Sequence, residues 1–347
     1  MNHPQRLSGI LFALAAGLMW GLVFVGPLLL PEYPATLQSF GRYLAFGLIA
    51  LPLAWFDRGR LRELARADWV EALKLALVGN IVYYLLLASA IQRAGGPLPT
   101  VIIGTLPVVI AITVKVRRAG HGARAEAPLA WARLWPSLGL IGAGIALVNG
   151  VELEHLKADP HADLGRYALG ALLAAGAVAC WTWYPIRNAE WLRAHPDRSP
   201  RGWATAQGLA TLPLALLGYA LTWAWAAWVG GVGNGAAAPG GAAFPMPFGP
   251  RVMDFLLLMF ALGLFASWLG TLCWNEASQR LPPTLSGQLI VFETLAALAY
   301  AFALRGRAPE VQTLVGIGLL VAGVVWAVRT QPNDATTAAA AAEAHPN

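Results

Sequence analysis

One acidic residue stands inside an apolar run. It is Glu293, in the stretch Ala277 to Thr294, ASQRLPPTLSGQLIVFET. A charged side chain at the centre of a bilayer costs about 3 kcal/mol on insertion scales, so it must face a cavity or a partner rather than lipid. Two chemistries follow: carrying a proton, or acting as a ligand for a cationic substrate. The structural alternative is an acid that hydrogen-bonds the unsatisfied backbone of a kinked neighbour. On a continuous helix Ser286, Ala296, Ala297 and Tyr300 share its face, a small and polar stripe.

Arg42 is the second charge within an apolar run, on one face with Gln38 and Ser39. Counting ~1.5 Å per residue from Thr36 places it ~9 Å below the outer surface. From there it can snorkel outward, pair with Glu293, or grip an anionic group. Asn80, Tyr83 and Tyr84 make a polar, aromatic face suited to a cavity wall. Trp20, Trp181, Tyr184 and Trp268 lie inside apolar runs and can complete that wall, although most of the 15 Trp are accounted for by interfacial belts. Gln92–Arg93 and Gln279–Arg280 read as helix C-termini, where a basic side chain satisfies the last carbonyls.

Catalysis finds no constellation. All six histidines lie in loops or tails, and no metalloprotease, nucleophile-elbow or phosphate-loop motif is present. No cofactor or metal is expected. Cys180 and Cys273 lie within apolar runs and read as small apolar residues rather than a disulfide.

The elements that must hold these residues are membrane helices. Of 347 residues only 12% are charged and 57% are hydrophobic, with a mean hydropathy of +0.57. A soluble chain carries charge at about a quarter of its positions, so this one cannot cover a water-facing surface. A helical span needs ~20 apolar residues. Ten such runs fall at roughly 8–28, 35–55, 74–92, 97–116, 134–150, 166–186, 203–229, 253–275, 284–304 and 310–328. The first resembles a signal peptide, but removing it would break the pairing of the runs, so it is kept as a helix.

That pairing is an internal repeat. Ala90 to Pro107, AIQRAGGPLPTVIIGTLP, aligns without a gap on Ala277 to Thr294 at an offset of 187 residues. The expected fold is an all-α integral membrane protein whose ten helices form two five-helix repeats, residues 8–150 and 165–328, followed by a disordered tail, 329–347. Five spans per half invert one half relative to the other. With the N-terminus inside, seventeen of the 24 Lys and Arg fall in cytoplasmic segments, so both termini are expected in the cytoplasm. The net charge of +6 is then a topology signal, not a mark of nucleic-acid binding.

Local signals add further expectations. Gly17 and Gly21 should let another backbone approach closely, as should Gly139, Gly142 and Gly144. Pro107 should kink the fourth helix in mid-span. Residues 57–74 should form a short amphipathic helix on the membrane surface. Segment 115–133 should be a basic inner loop. The acidic stretch holding Glu152, Glu154, Asp159 and Asp163 should be an outer loop, and residues 229–250 a flexible one.

Ten spans in two inverted halves, SQRLPPTLSGQLIVFET, Gly316, Gly318 and Gly323 in the last run, and the Trp20–Gly21 step together resemble the EamA-like branch of the drug/metabolite transporter superfamily over about residues 8–328. Departures are Glu293–Thr294 where members often carry Glu-Pro, Leu106–Pro107 without the acid, and Gly306–Arg307 in place of Gly-Glu. The resemblance implies a secondary transporter of the bacterial inner membrane, moving a small polar or amphipathic metabolite by alternating access. Export or exchange is the expected direction, with Glu293 the candidate proton-coupling group and uncoupled exchange equally compatible. A non-transporting sensor or assembly protein on the same fold, or a lipid flippase, remains an alternative. Expected partners are a small-molecule substrate and the lipid bilayer, with a homodimer also compatible; nucleic acid is not among them.

Overall fold

The computed structural model describes residues 3–120, 128–158, 163–231, 244–282, 285–286, 289–306 and 309–330, and these are helical with connecting turns. The expected tail beyond Thr330, most of the 229–250 segment and the middle of the 115–133 loop lie outside them. In chain order the helices are α1 (Gln5–Leu29), α2 (Ala35–Phe56), α3 (Arg66–Ala94), α4 (Pro97–Ile103), α5 (Leu106–Gly120), α6 (Pro128–Ala158), α7 (Leu164–Ala194), α8 (Pro200–Gly231), α9 (Val252–Arg280), α10 (Val291–Arg305) and α11 (Val311–Thr330).

Among the described residues, six of these helices, α1, α2, α3, α7, α8 and α9, are long and apolar enough to cross a membrane. Four shorter apolar stretches, Leu98–Val114, Trp135–Val148, Val291–Leu304 and Val311–Gly323, occupy the fourth, fifth, ninth and tenth expected runs. The outward faces are apolar. On α8, Leu216, Leu217, Leu221 and Trp225 are exposed, as suits contact with acyl chains.

The packing has a reciprocal pattern. Helix α1 lies on α9 and α10, while α7 lies on α3, α4 and α5; α2 lies against α9, while α8 lies against α3. Helix α2 also packs closely on α8, and α6 on α11. Two helices widen to π geometry in mid-course, α3 over Ala76–Val82 and α9 over Leu262–Leu269. Such bulges commonly mark functional positions.

Small residues set the close approaches. A Cβ on Gly17 would sit 3.1 Å from the Glu293 amide nitrogen, and one on Gly21 would sit 2.7 Å from the Ala296 Cβ, so the expected approach of a backbone to α1 is made by α10. Of the four glycines on α6, only Gly144 is used: it meets Gly316 on α11, while Gly139, Gly142 and Gly150 face open space. Ser137 Oγ donates to the Gly323 carbonyl at 2.8 Å and ties the same two helices.

Several local expectations are corrected. Pro107 does not kink a continuous helix. The chain breaks at Gly104–Thr105, and Pro107 falls at the second residue of α5, where its missing N–H has no helical partner to lose. Residues 57–74 are not one surface helix. A separate five-residue helical segment, Arg58–Arg62, is followed by α3 starting at Arg66, where Asp68 accepts the Ala65 amide at 2.8 Å and starts the helix. Glu152 and Glu154 lie on α6 rather than in a loop. Asp163 caps α7, accepting the Arg166 amide at 3.0 Å. Phe244 to Pro250, the described end of the 229–250 segment, is docked: Tyr33 Oη donates to the Phe248 carbonyl at 2.9 Å and Tyr219 Oη to that of Pro247 at 2.6 Å.

Candidate functional site

Where α1, α2, α3, α7, α9 and α10 converge, a cavity of about 10 Å³ remains, the threshold for holding one water. It is lined by Trp20 and Val23 of α1, Arg42 and Tyr43 of α2, Asn80 and Tyr83 of α3, Trp181 of α7, Ala266, Ser267 and Thr271 of α9, and Glu293 of α10. Asn80 and Ser267 both come from π segments.

Glu293 is 1% exposed. Its carboxylate turns inward and accepts Tyr83 Oη on Oε1 at 3.3 Å and Trp181 Nε1 on Oε2 at 3.2 Å. Helix α10 begins at Val291, so Glu293 stands in a first turn, where the helix dipole favours a negative charge. Trp181 is held in turn by stacking between Tyr83 and Tyr184, with centroids 4.5 and 5.0 Å away, and by the edge of Trp20 at 4.9 Å.

Arg42 is 4% exposed, which excludes snorkelling. Its Nε donates to Ser267 Oγ at 3.0 Å and its Nη2 to the Ala266 carbonyl at 3.2 Å. The guanidinium lies over the rings of Tyr84 and Tyr43, at 4.5 and 4.8 Å from their centroids. Nη1 is buried without a hydrogen-bond partner. Among the described residues no ion pair joins Arg42 to Glu293: each charge is held by its own neutral partners.

The other candidates divide. Asn80 lines the cavity and donates to Thr211 Oγ1 at 3.2 Å. Tyr84 supports Arg42 from behind and donates to the Val23 carbonyl at 3.2 Å. Tyr184 backs Trp181 and donates to Gln207 Oε1 at 2.9 Å. Trp268 is turned away, with Nε1 3.4 Å from Thr205 Oγ1. Tyr300 lies on the α1 side, donating to the Leu18 carbonyl at 3.0 Å. Ala296 likewise faces Gly21 of α1, so the small stripe beyond Glu293 is a packing surface. Ser267, Thr271 and Tyr43 were not singled out by sequence reasoning. The 187-residue offset carries Asn80 onto Ser267 and Tyr84 onto Thr271, a signal that would have found two of them.

A polar layer closes the end of the bundle nearest Asp57, Glu71 and Asn188. Arg187 Nε donates to Glu71 Oε1 at 2.5 Å, joining α7 to α3. Asp57 accepts Thr205 Oγ1 at 3.0 Å and Arg201 Nε at 3.2 Å, joining α2 to α8. Asn188 Nδ2 donates to Asn275 Oδ1 at 2.8 Å, while its own Oδ1 accepts Trp203 Nε1 at 2.8 Å and Gln207 Nε2 at 3.1 Å. Five helices are thus tied at one end. At the opposite end Tyr33 is the knot: its carbonyl accepts Gln92 Nε2 at 2.6 Å and Gln38 Nε2 at 3.1 Å, and its hydroxyl accepts the Arg251 amide at 2.8 Å.

Residues 7–115 match the EamA-like transporter family. Over 331 residues the chain is 53% identical to "Inner membrane protein YtfF" of Escherichia coli (strain K12), which spans 95% of this chain and 98% of that protein. A solved protein crystal structure, 18% identical, superposes with a TM-score of 0.63 over 93% of this chain and 98% of its own length, a likeness of fold.

Proposed function

The chain belongs to the EamA-like transporter family of the drug/metabolite transporter superfamily, and on that premise we propose that it is a secondary transporter of a small polar or amphipathic metabolite. It works by alternating access, as an exporter or exchanger in the bacterial inner membrane. The observation that carries this reading is the burial of Glu293 and Arg42 in one cavity between the halves of the chain, each facing inward and neither paired with the other. A purely structural pair would be joined directly, since an unpaired buried charge is costly.

The working geometry we propose is ten spans in two inverted repeats, residues 8–150 and 165–328, with both termini in the cytoplasm. Supporting it are the 187-residue offset, the reciprocal packing of α1 and α7, and π segments that nearly coincide when α3 is shifted by that offset onto α9. In this conformation the cavity has room for one water and both ends are tied, as in the occluded intermediate of such a cycle. Rocking one half against the other would part either the Glu71–Arg187 end or the Tyr33 end. A non-transporting sensor or assembly protein is the second reading, favoured by the small cavity volume.

Glu293 is the proposed proton-coupling group; the titratable and charged groups facing it across the cavity are Tyr83, Tyr43 and Arg42. A thermal-shift screen of metabolites against the purified protein identifies a ligand, because binding only the folded state raises its melting temperature. Flux of that ligand into proteoliposomes is then expected to depend on pH in the natural protein and to be pH-independent in Glu293→Gln. A mutant that keeps the full pH dependence ends the coupling reading. A ligand that binds and is never moved favours the sensor.

A further inference from the structure

We infer that the Arg42 side of the cavity is a subsite for a small carboxylate monoanion, and that this anion binds together with one proton carried by Glu293. The inference rests on the carrier reading and names its substrate class. It starts from an asymmetry between the two buried charges. Both oxygens of Glu293 already have donors, Tyr83 Oη and Trp181 Nε1. Arg42 has spent Nε on Ser267 and Nη2 on Ala266, and Nη1 is left buried with no acceptor. The unmet demand is for a hydrogen-bond acceptor, and a charge-assisted one serves a guanidinium best. Nothing in the cavity asks equally for an ammonium.

Charge decides the rest. The cavity holds one cation and one anion, and a bound monoanion would leave an excess negative charge in a buried, low-dielectric space. A single proton on Glu293 restores the balance: one carboxylate pairs with Arg42, one proton neutralises Glu293, and the net charge is unchanged. A dianion, such as a phosphate ester, would leave a charge uncompensated even after that proton. Tyr43 and Tyr83 face the same space, but a phenol is already protonated at neutral pH and cannot take the proton. The aromatic residues Trp20, Tyr83 and Trp181 line the same space, which suits a planar or apolar body behind the carboxylate. The remaining volume fits about one oxygen atom, so the body enters only when these rings part.

The test is calorimetric titration of the full-length protein in nanodiscs with acetate, benzoate and phenylacetate. Two buffers of different ionisation enthalpy count the protons taken up. Benzoate or phenylacetate is expected to bind with uptake of about one proton, and affinity should fall roughly tenfold per pH unit on the alkaline side. Glu293→Gln is expected to bind the same anion without proton uptake and without that pH slope. Arg42→Gln should bind at least tenfold more weakly. Since Arg42→Gln could also lose binding by misfolding, the retained, pH-flat binding of Glu293→Gln is the decisive arm. Benzamide, the uncharged counterpart, should not compete. Benzoate binding without proton uptake overturns the inference, as does benzamide binding equally well. Tighter binding of phenylalanine than of phenylacetate, again without proton uptake, overturns it in favour of a zwitterion. Failure of every monocarboxylate also overturns it. The carrier reading is judged separately, by pH-dependent flux of whatever metabolite the thermal-shift screen returns.

Discussion

At the scale of single residues, the hydrogen bonds to Glu293 are the most exposed to test. Tyr83 and Trp181 each supply one donor; Phe at 83 keeps the ring and removes only that donor, while Phe at 181 also removes half of the stacked indole. With Oε1 left bare, Tyr83→Phe should destabilise the protein by about 1–2 kcal/mol, the range for an unsatisfied buried acceptor tempered by the smaller values seen inside membranes. Trp181→Phe, which bares Oε2 and also leaves a void in the stack, should cost more. Thermal unfolding in detergent reads this directly. Combined with Glu293→Gln, Tyr83→Phe should lose most of its extra effect and Trp181→Phe the part due to its hydrogen bond, because residues sharing one network do not add. Fully additive losses would mean that the two donors stabilise something other than the carboxylate. Glu293, Arg42, Asn80, Tyr83 and Trp20 were legible in the sequence for one reason: a polar or amphipathic residue in mid-run needs a partner. Trp268 and Tyr300 were not separable from them, since aromatic residues also serve interfaces and helix packing. Tyr300 does share the helical face of Glu293, as its i+7 spacing requires. Both residues stand on α10, but two turns along the axis, about 10 Å, carry Tyr300 past the cavity to the Leu18 carbonyl of α1.

At the scale of elements, hydropathy located the long helices well but not their interruptions. A break such as Gly104–Thr105, or a π turn within α3 or α9, changes the backbone by about one residue and leaves the apolar pattern intact. Hydropathy is blind to it. The π segments matter because they carry Asn80 and Ser267 into the cavity. The glycines were half legible. Spacing alone made Gly139, Gly142 and Gly144 equivalent, whereas only Gly144 has a backbone against it. Replacing Gly144 by Val would drive a side chain toward the Gly316 carbonyl, which lies 2.5 Å from the position of an added Cβ. The α6–α11 pair should separate at a cost of about 1–3 kcal/mol, seen as a lowered unfolding temperature. Gly142→Ala meets open space and should be neutral or slightly stabilising through helix propensity. Equal losses at the two positions would contradict the packing described.

At the scale of the whole molecule, the two ends are fastened differently, and this sets which side should open first when a fastening is removed. The Tyr33 end combines hydrogen bonds to backbone carbonyls with a partly solvent-exposed Arg251–Glu32 ion pair, while at the opposite end the carboxylates of the Glu71–Arg187 and Asp57–Arg201 pairs are buried. On the proposed orientation the Glu71–Arg187 end faces the cytoplasm. Glu71 joins α3 to α7, one from each half of the chain, so Glu71→Ala should weaken the closed arrangement without touching the cavity lining. A shift of one to two kcal/mol in that balance changes the population of the open form about 5- to 30-fold. The readout is the rate at which a cysteine placed at Asn80 reacts with a membrane-impermeant thiol reagent, with Cys180 and Cys273 first replaced by Ala or Ser. The Glu71→Ala change should raise that rate from the cytoplasmic face of inverted vesicles and lower it from the opposite face, because opening one end excludes opening the other. A rise on both faces would mean general loosening. No change on either would show that the Glu71–Arg187 pair takes no part in the exchange between states.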